Sequence, residues 1–600
     1  ESPYPQDVTE TITFYTSAGD KVEIPVTITA TLSKPFQFNI QDHGDVTASS
    51  NWTYQGRTDH GMLPDKRFPI VISKAMTINE GELVAYGVTI VDDASVNIQP
   101  KGGLTLHAGG FTNGVTKDNF TIVNNQDGVG YVRVSPYFIN KVQGTMPNIT
   151  VQYTTRAKAG GAKDQVWQYV GAPGNNMQMS NDGVMVYLWS ERDGWVYSNT
   201  NMTPFEGYAL TRTAEGAETY SIVAQPIHAD KTITLTKTDN GGMNGDNLFV
   251  NSYLAPIDLT KFTDIDDALN DPNDDFRGDF EKTFYLFNSG SWNDWQGENG
   301  EGANKILEDE SAPGQYYAIT PLGAALIDAQ KDQTTLPPMQ GVYVVAKGEA
   351  QIHLKYNKHV FTSASRDMNR PMRAPQIKDE NFMRVRMQVN SQNSGADRMY
   401  VIQYENTTRG YDNGYDAKNI IAQGQANIYT NEPEGQMEIS VADQIDSTFI
   451  GFAAGEDSEY TLTFTSLVGQ DMYLHDLESD SLFLITEEGQ YTFSAHPNSV
   501  NDMRFQLLLY PDFSDDLPGN GVTTGIDNLV SSAQVWVNDK RVYIADAPQN
   551  STLVVYTANG MCITSPLTIH HTPCTIDLSH LPTGVYVLRL NNQAYKFVCK

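Results

Sequence analysis

The sequence predicts an all-β chain, several β-sandwich modules in series, and three observations carry that prediction. Apolar residues at 40% with 10% aromatic are enough to fill packed cores, which excludes wholesale disorder. Gly (48), Tyr (31) and Phe (24) are plentiful while charged residues are only 19%, and Val, Ile and Thr recur throughout, a mixture that suits strands joined by tight turns. Finally, 600 residues exceed what one hydrophobic core can serve, and at roughly 100–200 residues per domain they imply about four.

Residues 1–67 form an N-terminal β segment in which Val22, Ile24, Val26 and Ile28 alternate in strand fashion. From Phe68 the pattern changes: Val88-Thr-Ile90, Val96-Asn-Ile98 and Leu104-Thr-Leu106 recur at a spacing of eight between Asp, Pro and Gly turns. Two inward apolar residues per rung describe a short solenoid-like segment over 68–156, although an even β-meander gives the same spacing. Residues 157–364 carry a duplicated sandwich module. Val186-Tyr-Leu-Trp189, Gly194-Trp195, Pro204-Phe-Glu-Gly207 and Glu218–Ile222 are matched by Phe284-Tyr-Leu-Phe287, Gly290-Ser-Trp292, Pro338-Met-Gln-Gly341 and Glu349–Ile352. Each copy reads as aromatic strand, Gly-Trp hairpin, Pro-x-x-Gly turn and strand, and the second holds an insertion with one short helix at Leu322–Lys331. Residues 379–510 read as a β-sandwich of about eight strands. Ser365–Lys378 and Pro511–Gly525 are the linkers. Residues 526–600 close the chain with alternating strands, with Gly560 and Gly584 placed at turns that need permissive dihedrals.

Charge and cysteine usage mark this last segment as separate. The chain carries 72 acids against 40 bases, a net −32, the wrong sign for coating nucleic acid or an anionic membrane. Residues 526–600 hold four acids and five bases, so the excess lies upstream. Cys562, Cys574 and Cys599 all lie near the C-terminus with no C-x-x-C pair, and a thiol-free upstream region suits a secreted chain in an oxidising compartment. No apolar run approaches the ~18 residues of a membrane-spanning helix. No charged-then-apolar leader stands at Glu1, as expected of a mature chain or of the tail of a longer one.

The eleven histidines form no H-E-x-x-H, and no G-x-S-x-G, phosphate loop or G-x-G-x-x-G occurs, so no enzyme is expected in these residues. Paired carboxylates for glycoside hydrolysis stay open, because their separation is a three-dimensional property. The acid run Asp264–Asp279 offers Asp264 and Asp266 to calcium, and Asp412 and Asp416 form a similar pair. The bland alternatives are a solvated loop for the first and a type I′ turn on Asp412-Asn-Gly for the second. Calcium is thus the one candidate cofactor, and none is expected. Trp189, Trp195, Trp292 and Trp295 flank hairpins and could stack on sugars, against the plainer reading that they fill sandwich cores.

Four stretches resemble large secreted proteins of the Bacteroidota: Trp167-Gln-Tyr-Val-Gly-Ala-Pro173, Asn244-Gly-Asp-Asn-Leu-Phe-Val-Asn-Ser-Tyr-Leu-Ala-Pro-Ile-Asp258, Leu336-Pro-Pro-Met-Gln-Gly341 and Arg409-Gly-Tyr-Asp-Asn-Gly-Tyr-Asp-Ala417. Leu248-Phe249 and Ser252 depart from that pattern. The end of the chain is similar to the type A C-terminal sorting domain of the type IX secretion system. Leu553-Val-Val-Tyr-Thr-Ala-Asn-Gly560, Leu581-Pro-Thr-Gly-Val-Tyr-Val-Leu-Arg-Leu590 and Ala594-Tyr-Lys-Phe-Val-Cys-Lys600 carry this likeness, with Met561 and Cys599 as departures. The resemblance implies a seven-stranded Ig-like sandwich whose signal residues are Gly560, Leu581, Pro582, Gly584, Tyr586, Tyr595, Lys596 and Lys600. It also implies an outer-membrane sorting receptor and translocon, a sortase and, in some members, attachment to anionic lipopolysaccharide. Asp446-Ser-Thr448 and Asp480-Ser-Leu482 match the O-glycosylation pattern of this bacterial group, with Ser447 and Ser481 as acceptors.

The expectation is therefore a secreted or surface-anchored cargo of the type IX system, non-enzymatic, structural or adhesive, bearing a C-terminal sorting signal. Its partners beyond the export machinery would be carbohydrate or a host surface, not nucleic acid, and it would not span the membrane. The competing readings are the accessory end of a larger secreted enzyme and a carbohydrate-binding surface protein.

Overall fold

The computed structural model describes residues 8–15, 21–28, most of 34–509 and most of 534–599; within these, 136–145, 156–166, 264–273, 289–314, 329–333 and 362–380 are the larger stretches outside the described residues. Nearly all its regular structure is strand, and the chain divides into two compact units, residues 1–376 and 377–600.

The first unit begins with a parallel coil. From Ile70 the chain alternates between two sheets, and each strand pairs in parallel with the one two steps earlier: Ile72 with Ile90, Ile78 with Ile98, Leu83 with Leu104, Ile98 with Ile122. The solenoid-like reading is correct, but the spacing of eight is not a rung. Val88–Ile90 and Val96–Ile98 lie in different sheets, so eight residues carry the chain from one sheet across to the other. The periodicity of the inward apolar pairs is the same in both geometries, which is why sequence alone could not separate them. Ile70, Ile72, Met76, Ile78, Ile98, Leu104 and Leu106 meet between the sheets, and this core continues into residues 170–224. Gly103 lets the Tyr131 ring approach the backbone, since an added Cβ there would lie 2.1 Å from it. Inside the coil Arg133 pairs with Glu82 at 3.0 Å, both fully enclosed.

The duplicated module appears as two sheets of the same order. In the first, Gln168–Val170, Tyr208–Arg212, Val184–Ser190 and Gly194–Tyr197 follow one another; in the second, Asp246–Val250, Gly341–Leu354, Phe276–Asn288 and Gln315–Ile319 do, all antiparallel. The Pro-x-x-Gly segments make the same turn twice. Glu206 N–H donates to Thr203 (3.3 Å) and Gln340 N–H to Pro337 (3.2 Å), with Phe205 at φ 67° and Met339 at φ 66°. Proline followed by a left-handed residue is a type II turn, a position that normally favours glycine. Here both side chains are buried, which holds the strained dihedral in place.

The copies part after this turn. Glu218 leads into the strand Thr219–Ala224, which leaves its copy and pairs with Ile149–Thr154 of the coil, whereas Glu349–Ile352 stays within Gly341–Leu354. The helix expected over Leu322–Lys331 is a single 3-10 turn at Gly323–Ala325, and residues 329–331 lie outside the described residues. Gly323 weakens the helix, and Ala324, Leu326 and Ile327 are all buried, so no amphipathic face is left to drive one.

In the second unit, residues 383–508 form one ladder of eleven strands. It curls on itself: Phe493, from the strand at one end, meets Phe452 and Phe505 at 4.9 Å each, and Tyr491 and Phe464 flank Phe483 from the other end. A single apolar core results. Beyond it, Gln534–Asn538, Arg541–Ala545 and Cys574–Asp577 form a three-stranded sheet, and Leu567–Ile569, Ser551–Thr557, Gly584–Leu590 and Gln593–Cys599 a four-stranded one. Val542 and Ile544 from the first and Leu553, Val555 and Leu588 from the second share a core, the two-sheet arrangement of an Ig-like sandwich.

Candidate functional site

The C-terminal motif has a physical basis in this small sandwich. Leu581 is buried, its N–H donates to the Leu578 carbonyl at 2.8 Å, and its own carbonyl accepts from Lys540 Nζ at 3.1 Å. Tyr586 lies in the core with its hydroxyl donating to the Pro582 carbonyl at 2.7 Å, the tyrosine-corner geometry of Ig-like folds. Leu581, Pro582 and Tyr586 thus fix how the chain enters the strand Gly584–Leu590. Gly584 is not at a turn: it is the first residue of that strand, its φ is not positive, and an added Cβ would meet Tyr586 at an ordinary 3.5 Å. The strand Gln593–Cys599 pairs along the whole of Gly584–Leu590, placing Tyr595 opposite Leu588 and Lys596 opposite Val587, and it forms the outer edge of its sheet. Gly560 and Lys600 lie outside the described residues.

The tryptophan candidates divide. Trp167, Tyr169, Tyr187, Trp189, Trp195 and Tyr197 lie on one side of the first-copy sheet, opposite the buried Val186 and Leu210. Trp167 and Tyr187 are 5.7 Å apart, Tyr187 and Tyr197 5.7 Å, Trp189 and Trp195 4.8 Å, and Tyr169 and Trp195 5.5 Å. The inner end is structural. Trp189 Nε1 donates to the Asp246 carbonyl at 2.6 Å, Tyr169 stacks on Phe287 at 4.6 Å, and the Tyr169 and Tyr316 hydroxyls are 2.7 Å apart. Burial pushes both phenols above the ordinary tyrosine range. The outer end is open: Trp195 is 39% and Tyr197 57% exposed. Sequence reasoning singled out Trp195 and missed Tyr197, although the run Gly194-Trp-Val-Tyr197 carries the signal. Trp292 and Trp295 lie outside the described residues, as do Asp264 and Asp266.

The end of the acid run is described, and it is engaged in packing. Asp275 is fully buried and meets Lys355 Nζ at 2.9 Å, Lys358 Nζ at 2.5 Å and His359 Nε2 at 3.2 Å, with His359 stacked on Phe262. Burial alone would raise the Asp275 pKa, but these three donors outweigh it and hold the carboxyl below the usual range. Asp416 accepts the Val441 N–H at 2.7 Å on one oxygen and the Asp412 N–H at 2.6 Å on the other. Burial first, then Asp412 and Glu432, push its pKa up to about 8. The Asp412-Asn-Gly turn is not type I′. Gly414 has φ 101° while Asn413 is not left-handed, and the Asp412 carbonyl accepts from both Tyr415 and Asp416. Among the described residues no group of three or more His, Cys, Asp or Glu side chains is arranged to hold a metal ion. Ser447 is buried at φ 62° with its hydroxyl on Asp446, whereas Ser481 opens the edge strand Ser481–Ile485 and is half-buried.

Three of the Bacteroidota-like stretches converge on one junction. Gly171 N–H donates to Met339 at 3.1 Å, Met339 N–H to Asn251 at 2.8 Å, and Phe205 N–H to Ser252 Oγ at 2.7 Å. Fully buried Asn251 binds the Ala255 and Leu336 carbonyls through Nδ2 and the Tyr253 N–H through Oδ1. These residues hold the two sheets together, so the likeness lies in a structural joint.

Residues 538–600 match the secretion system C-terminal sorting domain. Over 453 residues the chain is 26% identical to the minor fimbrium subunit Mfa5 of Porphyromonas gingivalis, an alignment that takes in 71% of this chain and 34% of that protein. The chain thus spans about a third of the length of the curated relative it matches. With its motif folded into the corner and edge of a seven-stranded sandwich, the chain is a cargo protein of the type IX secretion system, exported to the cell surface through its C-terminal sorting domain.

Proposed function

We propose that the delivered protein is a non-enzymatic structural or adhesive component of the cell surface. The observation that carries this reading is the open aromatic edge of the first-copy sheet. Trp195, Val196 and Tyr197 are three consecutive exposed apolar residues on an outermost strand that has no lysine, proline or bulge to blunt it. Soluble proteins avoid such edges unless something covers them. The likeness to a fimbrium subunit supports the same reading. Carbohydrate is the second reading, favoured by the two exposed rings. Replacing Trp195 and Tyr197 with alanine should abolish attachment of expressing cells to their target surface while leaving surface display intact. Unchanged attachment overturns the adhesive reading.

Delivery itself is proposed to depend on the terminal strand, presented at a sheet edge to an outer-membrane receptor and then to a sortase, with release or attachment to anionic lipopolysaccharide as the outcome. Deleting Ala594–Lys600 should trap a folded chain in the periplasm, whereas the core change Leu588→Ala should lower the amount of protein without changing where it goes. Surface labelling beside periplasmic fractionation separates the two, and normal display of the truncated chain sinks the proposal.

A further inference from the structure

The three-stranded sheet of the sorting domain has an outer face that should be wet. Along Arg541–Ala545, Val542 and Ile544 point into the domain's own core, so Tyr543 between them points away from it. Tyr543 is nevertheless only 4% exposed. What covers it is the curled ladder that precedes the domain. The Asn431 side chain and the Asp502 carboxylate face its hydroxyl, and burial followed by Asp502 raises its pKa. Asp502 is itself fixed, accepting from Tyr429 Oη at 3.0 Å and Gln436 Nε2 at 3.2 Å. Tyr429 is fully buried, and its ring has room because Gly451, directly across the ladder, carries no side chain: an added Cβ would lie 2.2 Å from that ring. A second contact lies beside the first. Thr575, the cross-strand neighbour of Tyr543, donates its hydroxyl to Met503 Sδ at 3.3 Å.

The outer face of the four-stranded sheet has the opposite character. Thr552, Thr568 and Arg589 are exposed there, and the terminal strand forms its edge. We propose that Tyr429, Asn431, Asp502 and Met503 form a seat for the sorting domain. On this seat the domain turns its four-stranded sheet outward to the export machinery, and it stays in place after the connection between Leu509 and Gln534 is cut. Cleavage by a sortase would then not by itself free the domain; a competing partner would have to lift Tyr543 from its seat. The seat is a property of the chain alone and does not depend on what reads the terminal strand.

The test uses the full chain with a specific protease site replacing residues 518–524, cut to completion and run on a sizing column. The two halves should co-elute. Tyr543→Ala, and independently Met503→Lys, which leaves the sorting domain untouched, should each weaken retention about tenfold or more, as loss of a buried aromatic anchor does. Circular dichroism of the released fragment shows whether it is still folded, and Met503→Lys decides the matter if Tyr543→Ala unfolds it. Separation of the wild-type halves overturns the seat, and so does unchanged retention in Met503→Lys. Because no export machinery is present, neither result bears on the delivery reading.

Discussion

The two copies of the repeat share a sheet order and a turn, yet the same outermost position is open in one and covered in the other. Gly194–Tyr197 exposes Trp195, Val196 and Tyr197, whereas Gln315–Ile319 buries Ala318 and Ile319 and sets Tyr316 against Tyr169, Phe287 and Tyr343. What the copies keep is backbone: the type II turns at Phe205 and Met339 and the antiparallel register beside them. What they vary is the face turned away from the core. A duplication can therefore hold its architecture through a few turn positions while one copy becomes a joint and the other a surface.

The largest effect should come from the anchor beside the second copy. Asp275→Ala leaves Lys355 and Lys358 without their shared carboxylate and should destabilise the first unit by about 3 kcal/mol. Because the folded Asp275 pKa lies below its unfolded value, this contribution is complete above the ordinary carboxylate pKa and fades as pH falls through and below it. The gap between wild type and variant should thus narrow from pH 7 to pH 3 and close only below the folded pKa, which denaturant melts across this range check. The covered and open edges come next. Tyr316→Ala, which removes a half-buried ring packed on three aromatic neighbours and the Tyr169 hydroxyl contact, should lower stability by about 2–3 kcal/mol, and Trp195→Ala by under about 1 kcal/mol. Equal losses would mean the two edges are not different in kind. The smallest effect sharpens the shared part: Pro204→Ala and Pro338→Ala should each cost about 0.5–1 kcal/mol, and by similar amounts, since both prolines preset the same turn. A large inequality would break the equivalence of the copies.

The fold class, a repeating segment after Phe68 and the sorting module were legible because alternation and turn residues are local signals, whereas parallel pairing was not, since a meander gives the same spacing. The left-handed dihedrals of Phe205 and Met339 were not, because a turn that normally takes glycine was filled with a residue whose burial overrides its preference. The coil's true step was hidden for a different reason: Val96–Ile98 reads alike whether its neighbours lie beside it or across the core. Gly584 looked like a turn because the motif around it is compact, yet the bend is made by Leu581 and Pro582 and held by Tyr586. Tyr543 gave no sign of its role, since an aromatic residue between two core positions looks the same whether its outer face is wet or seated.

Each sheet of the parallel coil ends on a reversed strand at one edge only, the two at opposite ends of the coil, while Tyr131–Val134 and Met76–Ile78 end the other edges in parallel. Trp52–Tyr54 runs antiparallel to Phe36–Phe38 on one side, and Thr219–Ala224 runs antiparallel to Ile149–Thr154 on the other. A stack of parallel strands has no intrinsic length, because each new turn presents the same unpaired ladder as the last. Reversing the strand direction at one edge of each sheet ends the parallel repeat there without fixing how many turns lie between. Whole turns can then be gained or lost by in-frame duplication or deletion without redesign of either terminus, so the reach of such a protein is a quantity that selection can adjust in discrete steps.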